Sequence, residues 1–207
     1  MPDFHFETSL AVSFVAGVDE VGYGAWAGPV LVAAVILDAP SIPSSFLTQI
    51  HDSKALSAVQ REKLYTTFVA HPLWGQWSLA SVSVEAINQG NVLRETHKAM
   101  ATAVELLPAC AVLVDGCHTI ACDLPQKCIP KGDQKSLSIA MASIMAKVSR
   151  DRLMTDLASL YPLFQWEKNK GYGTLGHRQA ILHHGLTSHH RLKYCRNLMR
   201  EKESQEN

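Results

Sequence analysis

The chain has 207 residues, 47% of them hydrophobic and 18% charged, with equal numbers of acidic and basic side chains. This composition excludes collagen-like, disulfide-scaffold and wholly disordered chains, and no apolar run reaches the roughly 18 residues that a membrane helix needs. The start lacks the basic head of a secretion signal, so we expect a cytoplasmic protein with no membrane partner. The five cysteines match no zinc-finger spacing, and we interpret them as reduced structural thiols.

The zero net charge conceals two halves of opposite sign. Residues 1–130 carry 6 Lys and Arg against 12 Asp and Glu, whereas residues 131–207 carry 13 against 7. Between Lys168 and Arg200 there are seven basic residues, five histidines and no acid. A basic segment opposite an acidic half indicates a polyanion held near carboxylates, although a solvated basic helix has the same composition.

The first half of the chain predicts strands mixed with helices. An apolar run at 14–18 predicts a strand that ends before Asp19 and Glu20, and the run at 30–37 predicts a strand covered on both faces. The sequence then predicts a loop at 40–45 and a helix at 57–70. It also predicts a half-exposed strand at 77–84 and a helix at 86–107 that is weakened by Gly90.

The second half begins with a buried strand at 111–114, which ends at Asp115. Asp133 is expected to open a long apolar helix that reaches residue 160, and one or two short basic helices follow Pro162. Elements in this order predict an α/β protein with a mixed central sheet flanked by helices.

Three acidic residues directly follow apolar strand segments, a position that is unusual for an acid on the solvated surface. Asp19 and Glu20 follow a hydrophobic strand, and Asp115 ends another strand in the same way. Side chains at strand ends converge at one edge of an α/β sheet, and carboxylates gathered there repel one another unless a cation neutralises them. Oxygen ligands favour Mg²⁺ or Mn²⁺. The alternative is that each acid simply ends its strand in solvent.

Two features of this pattern have a second interpretation. Strand alternation aims Asp19 and Glu20 at opposite faces, so both reach one site only if the strand ends or bends there, which Gly22 permits. Asp133 is also suited to be the N-cap of the helix that it opens, because a carboxylate accepts backbone N–H bonds and meets the positive end of the helix dipole.

Seven blocks of the sequence, in order, resemble those of bacterial ribonuclease HII. The first block is Gly17-Val18-Asp19-Glu20-Val21-Gly22-Tyr23-Gly24-Ala25-Trp26-Ala27-Gly28-Pro29-Val30. The later blocks are Asp52-Ser53-Lys54 with Leu56, Asn91-Val92-Leu93-Arg94-Glu95-Thr96-His97, Val114-Asp115-Gly116, Lys131-Gly132-Asp133 with Lys135-Ser136, Ala142-Ser143-Ile144-Met145-Ala146-Lys147-Val148 with Arg150-Asp151-Arg152, and Asn169-Lys170-Gly171-Tyr172-Gly173-Thr174. Each block is modest alone, but the ordered set is highly specific.

The resemblance implies a ribonuclease H-like fold with a C-terminal helical extension. It also implies hydrolysis of the RNA strand in RNA–DNA hybrids and incision 5′ of ribonucleotides embedded in duplex DNA, so these nucleic acids are the expected partners. By motif position, the implied catalytic and metal-binding acids are Asp19, Glu20, Asp115 and Asp133. Two divalent ions, Mg²⁺ or Mn²⁺, are the expected cofactors for in-line displacement at phosphorus.

The resemblance implies further residues that contact the nucleic acid. The turn formed by Gly22, Tyr23 and Gly24 maps onto the element that senses the 2′-hydroxyl, since glycines let the backbone approach a ligand closely. Lys54 maps onto a phosphate contact, and Tyr172 maps onto the tyrosine that packs on the sugar beside the scissile bond.

The chain departs from the family's usual pattern at this turn. Tyr23 stands where the family usually has Arg, and Ala25-Trp26 replaces the usual Pro-Leu. Backbone contacts to a ribonucleotide survive such a change, but a charged side-chain contact to phosphate does not. In the basic C-terminal segment we expect Arg191 to contribute to the electrostatic surface for nucleic acid.

Two other classes of function are compatible with parts of this pattern. A structure-directed DNA nuclease on the same fold keeps the acids and the basic surface but lacks 2′-hydroxyl selectivity. A noncatalytic nucleic-acid-binding module has no need of four carboxylates at element ends.

We expect a monomer, and the sequence leaves a sliding clamp open as a further partner. We expect an N-terminal extension at residues 1–13 and the ribonuclease H-like domain at 14–160. The basic helical extension is expected at 161–200, and a disordered tail at 201–207.

Overall fold

A computed structural model describes residues 1–206 of the chain, with side chains through residue 200. Five strands form one sheet in the order β3-β2-β1-β4-β5. The strands are β1 Val15–Val21, β2 Val30–Leu37, β3 Gly75–Val82, β4 Ala111–Asp115 and β5 Gln126–Ile129. The predicted tail at 201–207 falls outside the residues with described side chains and stays a prediction.

Helices connect and follow these strands. The α-helices of the described residues are α1 His5–Ser9, α2 Ser44–Leu47, α3 Ala58–Ala70, α4 Val84–Gln89, α5 Val92–Glu105, α6 Leu137–Leu160, α7 Trp166–Asn169, α8 Leu175–His184 and α9 Leu192–Glu206. Short 3₁₀ turns lie at Ala39–Ser41, Pro72–Trp74, Gly132–Gln134 and Pro162–Phe164. Across residues 1–206, the structure contains no helix with the length and apolar character needed to span a bilayer.

The sheet is mixed, as predicted, and its register places two acids at one edge. Strand β1 is antiparallel to β2 and parallel to β4, with Val18 opposite Val114. Strand β5 is parallel to β4, with Asp115 opposite Ile129. Because β1 and β4 run in the same direction, Asp19 and Asp115, which follow Val18 and Val114, lie at the same end of neighbouring strands.

The chain groups into two compact units, each built from three segments. The first unit contains Met1–Val21, Leu31–Ser81 and Thr96–Val148. The second contains Gly22–Val30, Val82–Glu95 and Ser149–Asn207. In this grouping α6 contributes to both units, and two earlier segments group with the C-terminal part of the chain. The domain division expected at residue 160 stays a prediction.

The core of the first unit forms where α6 packs on β1 and β2. Every residue of β2 except the last is buried, as its continuous apolar sequence predicts. Gly17 on β1 allows the close approach of α6, since a Cβ atom there would lie 2.3 Å from the backbone nitrogen of Ile139. The start of the long helix is thereby fixed against the strand that carries Asp19.

Several element boundaries differ from the prediction. Strand β1 does not end at Val18 but continues through Val21, so Asp19 and Glu20 lie inside it. The helix expected at 86–107 is two helices, because the chain breaks at Gly90. Strand β5 was not predicted, since its sequence, Gln-Lys-Cys-Ile, is too polar to indicate a strand.

Two other boundaries were shifted. Strand β3 lies two residues earlier than expected, because Ser83 caps α4 and so ends the extended segment. The segment at 40–45, expected to be a loop, contains the end of a 3₁₀ turn and the start of α2. The helix expected at 57–70 is confirmed as α3, with Ser57 as its N-cap.

Candidate functional site

The four predicted acids all belong to the first unit. Asp19 lies on β1 with 5% of its surface exposed, and Glu20 is half-buried beside it in the chain. Asp115 ends β4. Asp133 is buried in the 3₁₀ turn that precedes α6. The sheet edge and this turn therefore carry the carboxylates that the sequence singled out.

The carboxylates interact strongly enough to alter one another's ionisation. Burial raises the pKa of Asp19 well above its usual value, and the charges of Glu20 and Asp115 raise it further. Burial and then the charge of Asp115 raise the pKa of Glu20. Burial also raises the pKa of Asp133. Each of these three groups is thus held where its charged form is disfavoured, as expected for buried carboxylates that lie close to one another.

Neighbouring groups hold two of these carboxylates in place. The Gly132 N–H donates a hydrogen bond of 2.6 Å to Asp115 Oδ1. The Glu20 N–H donates to Asp19 Oδ1 at 2.7 Å, and a hydrogen bond with the Ser143 side chain lowers the pKa of Asp19, against the larger effect of burial. The turn at Gly132–Gln134 and helix α6 therefore orient the acids at the sheet edge.

Lys54 supplies the positive charge at this cluster. Its Nζ lies 3.3 Å from Asp133 Oδ2. Burial alone would lower the pKa of Lys54, but the carboxylates of Asp133 and Asp52 raise it above its ordinary value. The Lys54 segment is anchored by the hydrogen bond of 2.9 Å between the Ser53 and Ser143 hydroxyls.

The alternative role of Asp133 as a helix cap is wrong. Helix α6 begins at Leu137, four residues after Asp133. The Ile139 N–H donates to Ser136 Oγ at 3.2 Å, and the Ser138 N–H donates to Glu7 Oε1 at 2.9 Å. Ser136 and the N-terminal Glu7 therefore satisfy the first turn of α6, which leaves the Asp133 carboxylate to Lys54 and the other acids.

The chemistry of this donor set fits a hard divalent cation. Four carboxylates supply only oxygen donors, and burial and mutual repulsion raise the pKa values of Asp19, Glu20 and Asp133. Within residues 1–200, however, no three His, Cys, Asp or Glu side chains are arranged so that they could hold a metal ion. In this structure the Lys54 ammonium pairs with Asp133 instead.

The predicted glycine turn belongs to the second unit. The chain leaves β1 at Gly22, whose φ of +88° is a conformation that side-chain-bearing residues rarely adopt. The Tyr23 carbonyl accepts hydrogen bonds from Arg191 Nη1 at 2.8 Å and from the Tyr194 hydroxyl at 3.1 Å. A Cβ atom on Gly24 would meet nothing within 4 Å, so the backbone is open to a ligand there.

Tyr172 also lies in the second unit, in the loop between α7 and α8, with 36% of its surface exposed. Its carbonyl is 2.9 Å from His177 Nδ1, and His177 Nε2 is 3.2 Å from His190 Nε2. The Thr187 N–H donates to His190 Nδ1 at 2.9 Å. These contacts assign Nδ1–H to His177 and Nε2–H to His190, so both imidazoles are neutral.

The prediction that Arg191 contributes to an exposed electrostatic surface is wrong. Its side chain is fully buried and donates to the backbone carbonyls of Gly28 and Tyr23. His190 also adds no charge near neutral pH, because burial and then the neighbouring His177 lower its pKa to about 4. Exposed cations of this segment include Arg196, on α9.

Sequence reasoning missed the residues that support the site. Ser143 and Gly132 lie within the family-like blocks, but nothing in their residue type indicates a contact with Asp19 or Asp115. Arg150 is fully buried in the second unit and donates to three backbone carbonyls. The only sequence signal for Arg150 is that it follows a long apolar run in a predicted helix. A basic residue at that place is equally typical of a helix end in solvent.

Comparisons with known proteins point to one family. The family model of ribonuclease HII matches residues 16–197. The ribonuclease HII of Ruegeria pomeroyi is 46% identical over 200 residues, which cover 93% of this chain and 82% of that protein.

Two solved structures share the fold. The ribonuclease HII of Archaeoglobus fulgidus, solved in complex with PCNA, has a TM-score of 0.74 at 24% identity and covers 87% of this chain and 95% of its own. Bst ribonuclease HIII, solved in complex with Mn²⁺, has a TM-score of 0.73 at 17% identity, covering 92% of this chain and 70% of its own. These similarities confirm the predicted ribonuclease H-like fold.

The match to the family model spans most of the chain and includes both the carboxylate cluster and the glycine turn. The relative from Ruegeria pomeroyi shares nearly half of its residues with this chain over most of both sequences. The chain therefore belongs to the ribonuclease HII family and is a nuclease of the ribonuclease H type.

Proposed function

We propose that this protein hydrolyses the RNA strand of RNA–DNA hybrids and incises duplex DNA on the 5′ side of an embedded ribonucleotide, leaving 5′-phosphate and 3′-hydroxyl ends. The observation that carries the proposal is the cluster of Asp19, Glu20, Asp115 and Asp133, in which burial raises the pKa of Asp19, Glu20 and Asp133. Membership of the ribonuclease HII family supports the choice of substrate. Such an activity has a place in ribonucleotide excision repair and in DNA replication.

The four carboxylates are proposed to hold two divalent ions, Mg²⁺ or Mn²⁺. When bound, the ions supply a water of lowered pKa and stabilise charge on the phosphate during displacement. Support comes from the donor chemistry described above and from the Mn²⁺ complex of Bst ribonuclease HIII, which shares the fold. The residues themselves orient the donors, since Gly132 fixes Asp115 and Ser143 hydrogen-bonds with Asp19.

Lys54 is proposed to contact a backbone phosphate. In this structure its ammonium pairs with Asp133, and its side chain is 81% exposed. The exposed ammonium stands on a flexible side chain that can reach a phosphate oxygen, and this exposure supports the proposed contact.

Recognition of the ribonucleotide is proposed to lie with the glycine turn and Tyr172. Backbone groups at Gly22 to Gly24 are suited to the 2′-hydroxyl, because the open space beside Gly24 lets a sugar approach the peptide. The half-exposed ring of Tyr172 is suited to pack on the sugar. Only the 2′-hydroxyl distinguishes RNA from DNA at a single position, so contacts of this kind suffice for selectivity.

Tyr23 favours a second candidate function, a structure-directed DNA nuclease on the same fold. The exposed tyrosine cannot supply the bidentate phosphate contact of the usual arginine, so the turn has lost one means of binding its substrate. The backbone of the turn is unaffected by that difference. We therefore favour the ribonuclease.

One cleavage experiment separates these functions. The full chain is incubated with Mg²⁺ and either a DNA duplex that contains one ribonucleotide or the all-DNA duplex of the same sequence. We expect one incision 5′ of the ribonucleotide and none in the control. Equal cleavage of both duplexes would favour the DNA nuclease, and binding without cleavage would favour a noncatalytic module.

Three further predictions accompany this proposal. A cytoplasmic location and a monomeric state are still inferred from the sequence alone. A sliding-clamp partner is a prediction of the same kind, and the PCNA complex of the Archaeoglobus fulgidus protein supports testing it for this chain.

A further inference from the structure

The second unit buries two arginines side by side, and both side chains have no exposed surface. Arg150, on α6, donates from Nε to the Pro29 carbonyl at 2.9 Å and from Nη2 to the Ala27 carbonyl at 3.1 Å. Its third donor, Nη1, lies 2.9 Å from the Lys170 carbonyl. One guanidinium therefore joins the segment that follows the glycine turn to the residue two positions before Tyr172.

Arg191 holds the glycine turn from another direction. Its Nε donates to the Gly28 carbonyl at 2.9 Å, and its Nη1 donates to the Tyr23 carbonyl at 2.8 Å. The charge of Arg150 contributes, after burial, to lowering the pKa of Arg191. The two cations thus repel each other, and each of these five hydrogen bonds ends on a backbone carbonyl.

Burying this pair of arginines has a large unfavourable free energy for a contact that is only structural. Burying two like charges costs solvation, and Arg191 Nη2 is buried without a hydrogen-bond partner among the described residues. Unfavourable burial of this kind is expected mainly at functional sites, where the local arrangement is needed for binding or catalysis. A planar guanidinium has the fixed fork that can set several carbonyls at once, which a lysine ammonium cannot do.

The glycine turn and the Tyr172 loop are also fitted to these arginines. A Cβ atom on Gly22 would lie 2.1 Å from Arg150 Nε, so the guanidinium occupies the space beside the backbone of the turn. The guanidinium carbon of Arg150 lies 5.5 Å from the centre of the Tyr172 ring. The Gly171 carbonyl accepts hydrogen bonds from the Trp26 and Ala27 N–H groups at 2.8 and 3.1 Å.

We propose that Arg150 and Arg191 are positioning residues for ribonucleotide recognition, which hold the glycine turn and the Tyr172 loop in one fixed register before substrate binds. The inference rests on the proposed function, because it assigns the turn and Tyr172 to the ribonucleotide. Arg150 sets the distance between the two elements, and Arg191 sets the peptide plane at Tyr23. Neither arginine contacts the substrate itself.

The test compares two substrates with matched variants of the full chain. One duplex contains a single embedded ribonucleotide, where recognition depends on one sugar, and the other contains a tract of four ribonucleotides, which offers several registers. Arg150→Lys and Arg191→Lys keep the charge but lose the fork. We expect each to lower kcat/KM for the single ribonucleotide about tenfold more than for the tract, since small misplacements cost rate steeply.

Leu198→Ala is the matched control for lost stability. Leu198 is buried in the core of the same unit and lies outside the turn and the loop. This variant should lower cleavage of both substrates in proportion to its folded fraction, with their ratio unchanged. If the lysine variants behave in the same way as Leu198→Ala, the two arginines are structural only and the proposal is overturned.

A milder variant keeps the proposal testable if the lysine variants do not fold. Tyr194→Phe removes only the hydroxyl that donates to the Tyr23 carbonyl, so we expect a change of ratio in the same direction but about twofold. An unchanged ratio in a folded Tyr194→Phe would then overturn the positioning role of this carbonyl network. Failure of the proposed function would appear differently, as no selective cleavage by the unaltered chain.

Discussion

In the first unit the carboxylates of Asp19 and Asp133 are buried among other acids, whereas in the second unit the guanidiniums of Arg150 and Arg191 are buried against backbone carbonyls. The acids respond by a raised pKa, which disfavours their charge. The arginines stay charged at any physiological pH and are satisfied by peptide dipoles. The two groups therefore differ in their partners, because the guanidiniums donate to several backbone carbonyls, whereas the acids repel one another and one of them, Asp133, pairs with Lys54.

This comparison separates two kinds of site within one chain. The proposed cation site is the carboxylate cluster, so its properties should change when a divalent cation is added or when one acid is removed. The backbone carbonyls around the glycine turn already accept hydrogen bonds from Arg150 and Arg191, so this region should change little until those contacts are broken.

The largest expected effect follows from neutralising one acid. Asp115→Asn keeps an oxygen acceptor for the Gly132 N–H, so the fold should be retained. We expect Mg²⁺-dependent cleavage to fall by more than about a hundredfold, since losing even an outer partner of a metal ligand costs 10–100-fold. In buffer without divalent ions the free energy of unfolding should equal or exceed that of the unaltered chain, because repulsion on Asp19 is relieved.

The control for this change is Asp123→Asn, which neutralises an exposed acid of the same unit. Cleavage rates and chemical denaturation of both variants give the comparison. Near-normal activity of Asp115→Asn would remove Asp115 from the site, and a large loss of stability would make its role structural.

A second effect concerns pH and the neutral histidines of the second unit. The pKa of His190 is lowered to about 4 from an ordinary 6.5, so the folded state binds fewer protons than the unfolded chain between these values. The resulting stability is fully present above about pH 6.5 and is lost as the pH falls toward 4, by on the order of 2 kcal/mol. Denaturation measured across this pH range tests the prediction.

Variants of two histidines identify the residue responsible. His190→Asn should flatten the dependence on pH, whereas His183→Gln, which alters an exposed histidine of α8, should leave it intact. Equal dependence in both variants would show that His190 does not cause the acid sensitivity.

The histidines show how far the sequence could lead. A basic and histidine-rich segment predicted a charged surface, yet His190 and Arg191 are both buried, because a composition reports the charges and not which side of an element they face. The strand at Val30–Leu37 was predicted correctly, since a continuous apolar run of that length is typical of a strand that is buried on both faces.

The acids were placed correctly for a similar reason. Asp19 and Asp115 follow the apolar stretches of β1 and β4 but are still part of these strands, whose parallel pairing brings them to one edge. Strand β5 and the start of α6 could not be predicted, because both depend on tertiary partners: β5 pairs with β4, and Glu7 completes the first turn of α6. The supporting contacts of Ser143 and Arg150 depend on such partners as well.

A smaller effect is expected at the exposed cations of the second unit. Arg196→Ala removes a charge from α9, where Arg196 shares a groove with Lys193 and Arg200. We expect weaker binding to a ribonucleotide-containing duplex, with the slope of log K against log salt reduced by about 1 if one phosphate contact is lost. Lys63→Ala, on α3 of the first unit, is the control. An unchanged slope would make Arg196 part of a solvated face.

The smallest effect is expected at Tyr23. Tyr23→Arg restores a guanidinium on a side chain that is 38% exposed, so affinity at low salt should rise by about two- to fivefold, the value of one exposed ion pair. Selectivity for the 2′-hydroxyl should be unchanged, because the carbonyl of residue 23 is still held by Arg191. If the variant acquires a selectivity that the unaltered chain lacks, the natural protein is closer to a DNA nuclease.

The central claim is that the acids of the first unit form one site for divalent cations. Titration calorimetry of the full chain with Mn²⁺, beside Asp19→Asn, tests it without substrate. We expect the unaltered chain to bind Mn²⁺ and the variant to bind it at least about tenfold more weakly, since the variant loses one negative charge and one of the two carboxylate oxygens. Equal binding by the two proteins, or none by the unaltered chain, would contradict the account.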